Sequence, residues 1–568
     1  MQQALRVGLV AAFLAGAGLR AIDLWHPVDG TVRESWRECD IASIARNYYR
    51  EDSRFLYPRI DWRGDGPGYT EMELPITPWS ISVLYRVFGF HEVAGRILVY
   101  VFSLLTLVVF FRLAVYLLPP GGAAAASLFF VLSPLAVRIS NTLQPEAFMF
   151  LTYILAVYGF VRWLDTNRWR DWGLTLVATS LTILAKASAA HIGILFAVLL
   201  ISRRGWGVLR RPSVWALAVL SLAPPLLWYA YARGFWIHYG NSLGVSNEYH
   251  WIGWDFFTNR AFIMGILVSE VFYVWMPSGL LVAALGIIMR YRERGTQVAL
   301  AWLGAVAVFY VVASRTTGDD WAIYYHVVSV PSVALLFGVG VDALGSLSWR
   351  PGWGKVVMAA VAAVLAVLCV VHFAHLDLGF GAGAPLRAAV AAALVAFVAL
   401  AWYVRNKVAP EGRTPVALKA VVLATWMLAA VTVSLQAREV LNEAHPDTLQ
   451  ASFDCARQFA PLIPPGDLVV VSGGPCTDTD GYPVAYNEPY MFYWMDRKGF
   501  SLCEGDQSVR AVTALSKRGA RFYVAKKSSL HGKPGYEHAL RATYPVLSEC
   551  SKFVLFSLQP HHGGPSAQ

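Results

Sequence analysis

Apolar runs long enough to cross a bilayer recur along most of the chain, interrupted once by a polar stretch and ended by a soluble pattern. A membrane helix needs roughly 20 mainly apolar residues to cross a hydrocarbon core of about 30 Å, and about thirteen segments qualify. They lie near 4–24, 92–118, 121–139, 145–164, 171–186, 188–202, 213–232, 268–290, 297–314, 327–345, 355–374, 385–404 and 416–436. The first carries Arg6 ahead of its apolar stretch, as a secretory leader does, but its length reads as an uncleaved helix.

Between about Arg33 and Arg96 the pattern breaks into WRECDIASIARNYY and then GDGPGYTEMELPITPW. Trp36 to Tyr49 has the spacing of an amphipathic helix at the membrane interface, with Ile41, Ile44, Ala45 and Tyr48 on its apolar face. The same stretch gathers Asp40, Asp61, Asp65, Glu71 and Glu73. Carboxylates beside a bilayer are costly unless they are solvated, paired or used, so this loop is the first place to look for chemistry.

After Arg438 the runs DLVVVSG, ARFYVAK and KFVLFSL read as strands, being short and rich in β-branched and aromatic residues. PYMFYWMDRKG and SVRAVTALSKRG between them have spacing closer to helical. The expected architecture is a polytopic α-helical membrane protein, with a membrane domain over 1–437, a first exoplasmic loop over 25–91 and a soluble α/β domain over 438–568.

Composition agrees, since the 568 residues are 56% apolar and only 15% charged, with mean hydropathy +0.47. The net charge of +10 records topology rather than nucleic-acid binding. Basic residues collect in alternate loops, at Arg168 and Arg170; Arg203, Arg204, Arg210 and Arg211; Arg290, Arg292 and Arg294; Arg350 and Lys355; and Arg405, Lys407 and Arg413. The positive-inside rule makes those loops and the N-terminus cytoplasmic, and puts the acidic loop, 233–267 and the tail on the exoplasmic face. Cys455, Cys476, Cys503 and Cys550 then fall on the oxidising side, where two disulfides are expected in any of three pairings. Cys39 reads as a free thiol, Cys369 as a packed apolar residue, and the final HHGGPSAQ as a disordered end.

WRECDIASIARNYY, then LYPRIDWRGDGPGYTEMELPITPW, then an apolar helix resembles the first exoplasmic loop of GT-C membrane glycosyltransferases. The likeness is to the family 39 group of protein mannosyltransferases and aminoarabinose transferases, over roughly residues 1–345. It implies a glycosyltransferase of the bacterial inner membrane that moves a sugar from a polyprenyl-phosphate donor to a glycan, lipid or protein acceptor, with inversion. It also implies that an acidic residue of this loop is the general base, best matched by Asp40, with Glu38 one alignment slip away. A carboxylate there can take the proton of an acceptor hydroxyl. Glu73 resembles the loop's second acidic position, and Glu146, in NTLQPEAFMF after Gln144 and Pro145, one that faces the catalytic cavity. For the donor phosphate the likeness offers Lys186 in LAKASAAH, with His191 following, and Tyr325 and His326 in a YYH-like element; Arg260 and Arg315 are further exoplasmic cations. Lys186 and His326 come first among these.

Each residue also has a plainer reading. Asp40, Glu73 and Glu146 suit helix N-termini, Asp65 suits a Gly-rich turn, and Lys, Arg, Tyr and Trp gather at membrane interfaces without any ligand. Asp40, Glu73 and Glu146 together are candidate oxygen ligands for a divalent ion, a question the sequence leaves open. A nucleotide sugar is not expected as donor, because neither a Rossmann-like glycine fingerprint nor a DxD element is expected in a soluble domain and the acidic loop lies on the exoplasmic side. The competing class is a transporter or lipid flippase, whose polar groups belong near mid-bilayer or in broken helices.

Overall fold

The structure is a computed structural model that describes residues 2–22, 24–30, 35–245, 249–344 and 446–559. The segments expected near 355–374, 385–404 and 416–436 lie outside the described residues, as do Cys369, Arg350, Lys355, Arg405, Lys407, Arg413 and the final HHGGPSAQ. In chain order the helices of the first part are α1 Gln2–Ala21, α2 Ser35–Arg50, α3 Ile76–Phe88, α4 Glu92–Leu117, α5 Pro120–Leu132, α6 Pro134–Arg138, α7 Glu146–Thr166, α8 Trp169–Ala185, α9 Ile192–Arg204, α10 Pro212–Tyr239, α11 Arg260–Ser269, α12 Pro277–Arg290, α13 Arg294–Val312, α14 Ser314–Thr317 and α15 Val330–Leu344.

Apolar segments become helices because backbone in hydrocarbon must satisfy its own N–H and C=O groups. Among the described residues, six helical segments are long and apolar enough to span: Glu92–Leu117, Glu146–Thr166, Ala187–Arg204, Pro212–Tyr239, Arg294–Val312 and Ala322–Ala343. Two expected spans are broken. The one at 121–139 divides between α5 and α6, where Ser133 turns extended and Pro134, lacking an N–H, restarts the helix. The one at 268–290 contains a π turn over Glu270–Trp275, then Met276 at φ 53°, before α12 begins at Pro277. Glycine sets the closest approaches: a Cβ on Gly340 would lie 2.0 Å from the Val282 carbonyl oxygen, and one on Gly338 2.4 Å from that of Gly122. At one end of the bundle Asp165 gathers Arg203 at 3.2 Å and Arg294, so the basic loops that hold them meet there.

Helix α2 departs from expectation. In place of an amphipathic helix with one open face, every residue from Glu38 to Tyr48 is buried. Helix α3 packs against it, and the tail supplies the rest of its cover, through a core that joins Cys39, Ile41, Ile44 and Tyr48 to Phe459, Tyr490, Met491 and Phe492.

The tail folds as a five-stranded sheet in the order β2-β1-β3-β5-β4, from β1 Leu468–Ser472, β2 Lys498–Leu502, β3 Ala520–Lys526, β4 Val546–Glu549 and β5 Phe553–Ser557. Strands β2, β1 and β3 are parallel; β5 pairs antiparallel with β3 and β4. Helices Pro489–Met495 and Val509–Lys517 are the crossovers between the parallel strands. Two disulfides form, Cys455–Cys550 and Cys476–Cys503, and Cys39 is a buried free thiol. Backbone bonds fasten tail to loop: Gly64 N–H donates to Gly499 O at 2.6 Å and Gly499 N–H to Asp61 O at 3.1 Å. Loop and tail therefore share one side of the molecule.

Candidate active site

Four elements bring charged side chains to one place under the tail. Helix α2 presents Trp36, Arg37 and Asp40 within one turn. Glu73 precedes α3, Glu146 opens α7, and Lys186 leaves the end of α8 in extended backbone. Their register is fixed by the main chain: Leu74 N–H donates to Leu184 O at 2.9 Å, Trp228 Nε1 to Met72 O at 3.0 Å, and Tyr229 Oη to Ile183 O at 2.7 Å. Glu73 and Lys186 are thereby held on facing strands of chain around a cavity of about 140 Å³. Trp36, Arg37, Glu73, Lys186, Tyr324 and Tyr325 form its polar side, and Leu243, Val245, Trp251, Ile252, Phe309 and Ala313 its apolar side.

Two cation–carboxylate pairs meet there. Arg37 Nη2 donates to both oxygens of Glu73, at 3.1 and 3.0 Å. Lys186 Nζ pairs with Glu146 Oε1 and lies over the rings of Tyr325 and Tyr324, 4.2 and 4.8 Å from their centroids. Asp40, only 1% exposed, accepts from Trp62 Nε1 at 3.0 Å through Oδ1, while its Oδ2 and Glu146 Oε2 have no hydrogen-bond partner. A buried acceptor left unmade costs about 1–3 kcal/mol, so such atoms stand out. Burial raises the Asp40 carboxyl to about 6, against the opposing pull of Arg37 and the Trp62 hydrogen bond. Burial works against the charge of Arg37, but Glu73, with Asp40 and Glu146 behind it, holds its guanidinium above the ordinary range. A carboxylate raised by burial toward 6, one turn along α2 from Arg37, can take a proton while Arg37 and the buried Lys186 receive negative charge.

Glu38, two residues before Asp40, is engaged elsewhere. It takes Arg96 Nη1 at 3.1 Å and the Leu143 N–H at 2.8 Å, and Arg96 further donates to the carbonyls of Pro27 at 3.1 Å and of Asn141. The cavity walls include Tyr325 but not Asp40, Glu146, His326, Arg315 or Arg260: Asp40 stands behind Arg37, one turn along α2, and Glu146 behind Lys186. His326 is fully buried with Nδ1 on Glu270 Oε1 at 2.8 Å and Nε2 on Thr317 O at 2.7 Å. Arg315 pairs with Asp478 of the tail, and Arg260 is exposed at the start of α11. His191 bonds Tyr153 Oη at 3.0 Å and Ser188 O at 2.7 Å. Asp65 pairs with Arg518 at 2.6 Å, Asp61 with Arg46, and Glu71 accepts from Ser242 Oγ at 2.7 Å.

Sequence reasoning passed over Arg37, although its place one turn before Asp40 on the same helix is a readable signal. The expectation that the soluble domain holds no DxD element is corrected by Asp478–Thr479–Asp480, whose first carboxylate caps its own turn, accepting from Asp480 N–H at 3.0 Å and Tyr482 N–H at 2.8 Å. Asp40, Glu73 and Glu146 do not assemble as a ligand set, because Arg37 and Lys186 already occupy the latter two. Among the described residues the one group with metal-ligand spacing is Cys476, Cys503 and Asp506, and its two sulfurs are joined in a disulfide.

Residues 67–229 match the family model described as dolichyl-phosphate-mannose-protein mannosyltransferase. No curated protein matches in a sequence comparison. Among solved structures, ArnT from Cupriavidus metallidurans bound to undecaprenyl phosphate is similar at 18% identity and TM-score 0.61, covering 100% of both chains. Its apo form gives 18% identity and TM-score 0.63, covering 97% of this chain and 98% of that one. The chain therefore has the GT-C fold of these structures, and its residues 67–229 are similar to the mannosyltransferase model.

Proposed function

We propose that this chain is an integral-membrane glycosyltransferase that moves one sugar from a polyprenyl-phosphate donor to a hydroxyl acceptor on the exoplasmic face. The observation that carries this reading is the cavity itself, whose walls hold the buried Lys186, the largely buried Arg37 and an apolar face, with Asp40 and its unpartnered oxygen one turn of α2 behind Arg37. An amphiphile with a phosphate head and a hydrocarbon chain fits that division. The undecaprenyl phosphate of the similarly folded ArnT structure supports a lipid phosphate as carrier.

In this mechanism Asp40 accepts the acceptor's hydroxyl proton as that oxygen bonds to the anomeric carbon. The bond from the anomeric carbon to the phosphate oxygen breaks on the opposite face, which inverts the centre, and the phosphate leaves with the electron pair. Lys186 releases Glu146 to meet that charge, and Glu73 keeps Arg37 turned toward the cavity. Tyr325 lines the donor's place and Glu146 stands behind it, paired with Lys186; His326, Arg315 and Arg260 act at a distance from it. No step here runs through a metal. The shared side of loop 25–91 and tail 438–568, opposite the loops that gather at Asp165, supports a plasma-membrane orientation with a cytoplasmic N-terminus and an exoplasmic tail.

One observation favours transport instead: the broken helix at 270–276, whose Glu270 is held by His326 and Ser329. Mass spectrometry of surface glycoconjugates from a strain lacking this chain separates the readings. A single sugar mass missing from one glycan, lipid or protein is expected; intact glycoconjugates would overturn the proposal.

A further inference from the structure

The loop from Gly473 to Asn487, between β1 and the helix Pro489–Met495, reaches back to the cavity. The Cys476–Cys503 disulfide pins its base, a Thr477–Pro483 bridge closes it, and Asp478 Oδ1 caps it through the N–H groups of Asp480 and Tyr482. Three contacts then leave it. Asp478 Oδ2 pairs with Arg315 Nη2, the Tyr482 ring stacks on His250 at a 4.3 Å centroid distance, and Asn487 O accepts from Trp36 Nε1 at 3.1 Å. Arg315 Nη1 passes the first contact on, donating to Tyr249 O at 2.7 Å, and Thr316 Oγ1 donates to Trp251 O at 3.2 Å. Trp36, Trp251, Ile252 and Thr316 are walls of the cavity, so each contact ends on a wall or beside one. The described residues 249–253 ahead of the turn Trp254–Thr258 form no helix or strand, so the side chains that hold the carbonyls of 249–251 help set the shape of that wall.

We infer that Asp478 is a positioning residue of the tail: by holding Arg315 it fixes the Trp251–Ile252 wall against which the first isoprenoid units of a lipid phosphate lie. The inference rests on the lipid-phosphate reading above and gives the tail a part in it. The wall is apolar and faces the cavity that Lys186 and Arg37 also line, which is where hydrocarbon must lie if phosphate meets those cations. Asp478 acts on how well the carrier is held, and bond-making is left to the groups on α2.

The test is the affinity of the purified full-length protein, in lipid nanodiscs, for radiolabelled undecaprenyl phosphate without sugar. Asp478→Asn keeps an oxygen for the turn and sets an amide against Arg315, and is expected to weaken binding about tenfold, the scale of one lost hydrogen bond to a charged group. Tyr482→Ala is expected to weaken it in the same direction and serves where Asp478→Asn does not fold. Asp65→Asn cuts another link between loop and tail, the Arg518 pair, and is expected to bind as the unsubstituted chain does. Equal binding by all four proteins, or an equal loss in Asp65→Asn, would overturn the inference alone. An unsubstituted chain that does not bind the carrier would overturn the functional reading and this inference with it.

Discussion

Two carboxylates two residues apart on α2 have opposite surroundings. Glu38 is closed in by Arg96 and a backbone N–H, and Arg96 spends its remaining donors on carbonyls around it. Asp40 shares Arg37 electrostatically with Glu73 and Glu146, and keeps one oxygen unsatisfied. Folding explains the first arrangement: a buried pair with both carboxylate oxygens partnered ties α2 to α4 and to the turn before α7. Folding alone disfavours the second, because an unmatched buried charge lowers stability. A group held at a cost to the fold is where function belongs.

The largest effect expected from that contrast is on turnover. Asp40→Asn should lower sugar transfer by roughly 10²- to 10⁴-fold, the range of general-base catalysis, with the purified protein still folded. Thermal unfolding of the same variant should show equal or greater stability, since it removes an ionised group from a buried place; a large drop in Tm would make Asp40 structural. Glu38→Gln should do the reverse. Breaking a buried pair costs about 3–5 kcal/mol, so yield and Tm fall, while the protein that remains folded turns over near the normal rate. Lys186→Ala should raise the donor KM by about tenfold or more and leave the acceptor KM unchanged; equal donor KM values would remove Lys186 from the site.

The smallest effect is the shape of the pH profile. Burial raises the Asp40 carboxyl to about 6, so kcat/KM should climb as pH rises through that value and the base ionises. The sign for stability is opposite. The folded state holds this proton more tightly than the unfolded chain, so the contribution is full below the ordinary carboxyl value of 3.8 and lost as pH rises through about 6. A profile flat between pH 5 and 7, at constant folded fraction, would contradict the assignment.

Much of the architecture is local and was readable. Apolar runs gave helices, and DLVVVSG, ARFYVAK and KFVLFSL gave β1, β3 and β5 because alternation and β-branching act over a few residues. Strand β2, KGFSL, and β4, VLSE, were not, since Gly499 and the polar ends carry no strand signal and pairing with neighbours makes them strands. The breaks at Ser133 and Met276 were also unread inside continuous hydropathy, although Pro134 and Pro277 mark both. Around the cavity, Glu73 and Lys186 were legible as charged residues at segment ends and Tyr325 through a YYH-like element, and these three line it, while Asp40 and Glu146 stand behind Arg37 and Lys186. His326 and Arg315 had the same type and depth, but their partners Glu270 and Asp478 lie 56 and 163 residues away, where spacing says nothing. Arg37 was missed because the loop was read for its acids.

The most direct test of the account places the purified chain in proteoliposomes with a polyprenyl-phosphate-linked sugar and a hydroxyl acceptor, and follows bond formation and translocation together. The account predicts a new glycosidic bond of inverted configuration, with one free polyprenyl phosphate released per sugar transferred. Movement of the intact donor across the bilayer with no glycosidic bond formed would contradict it.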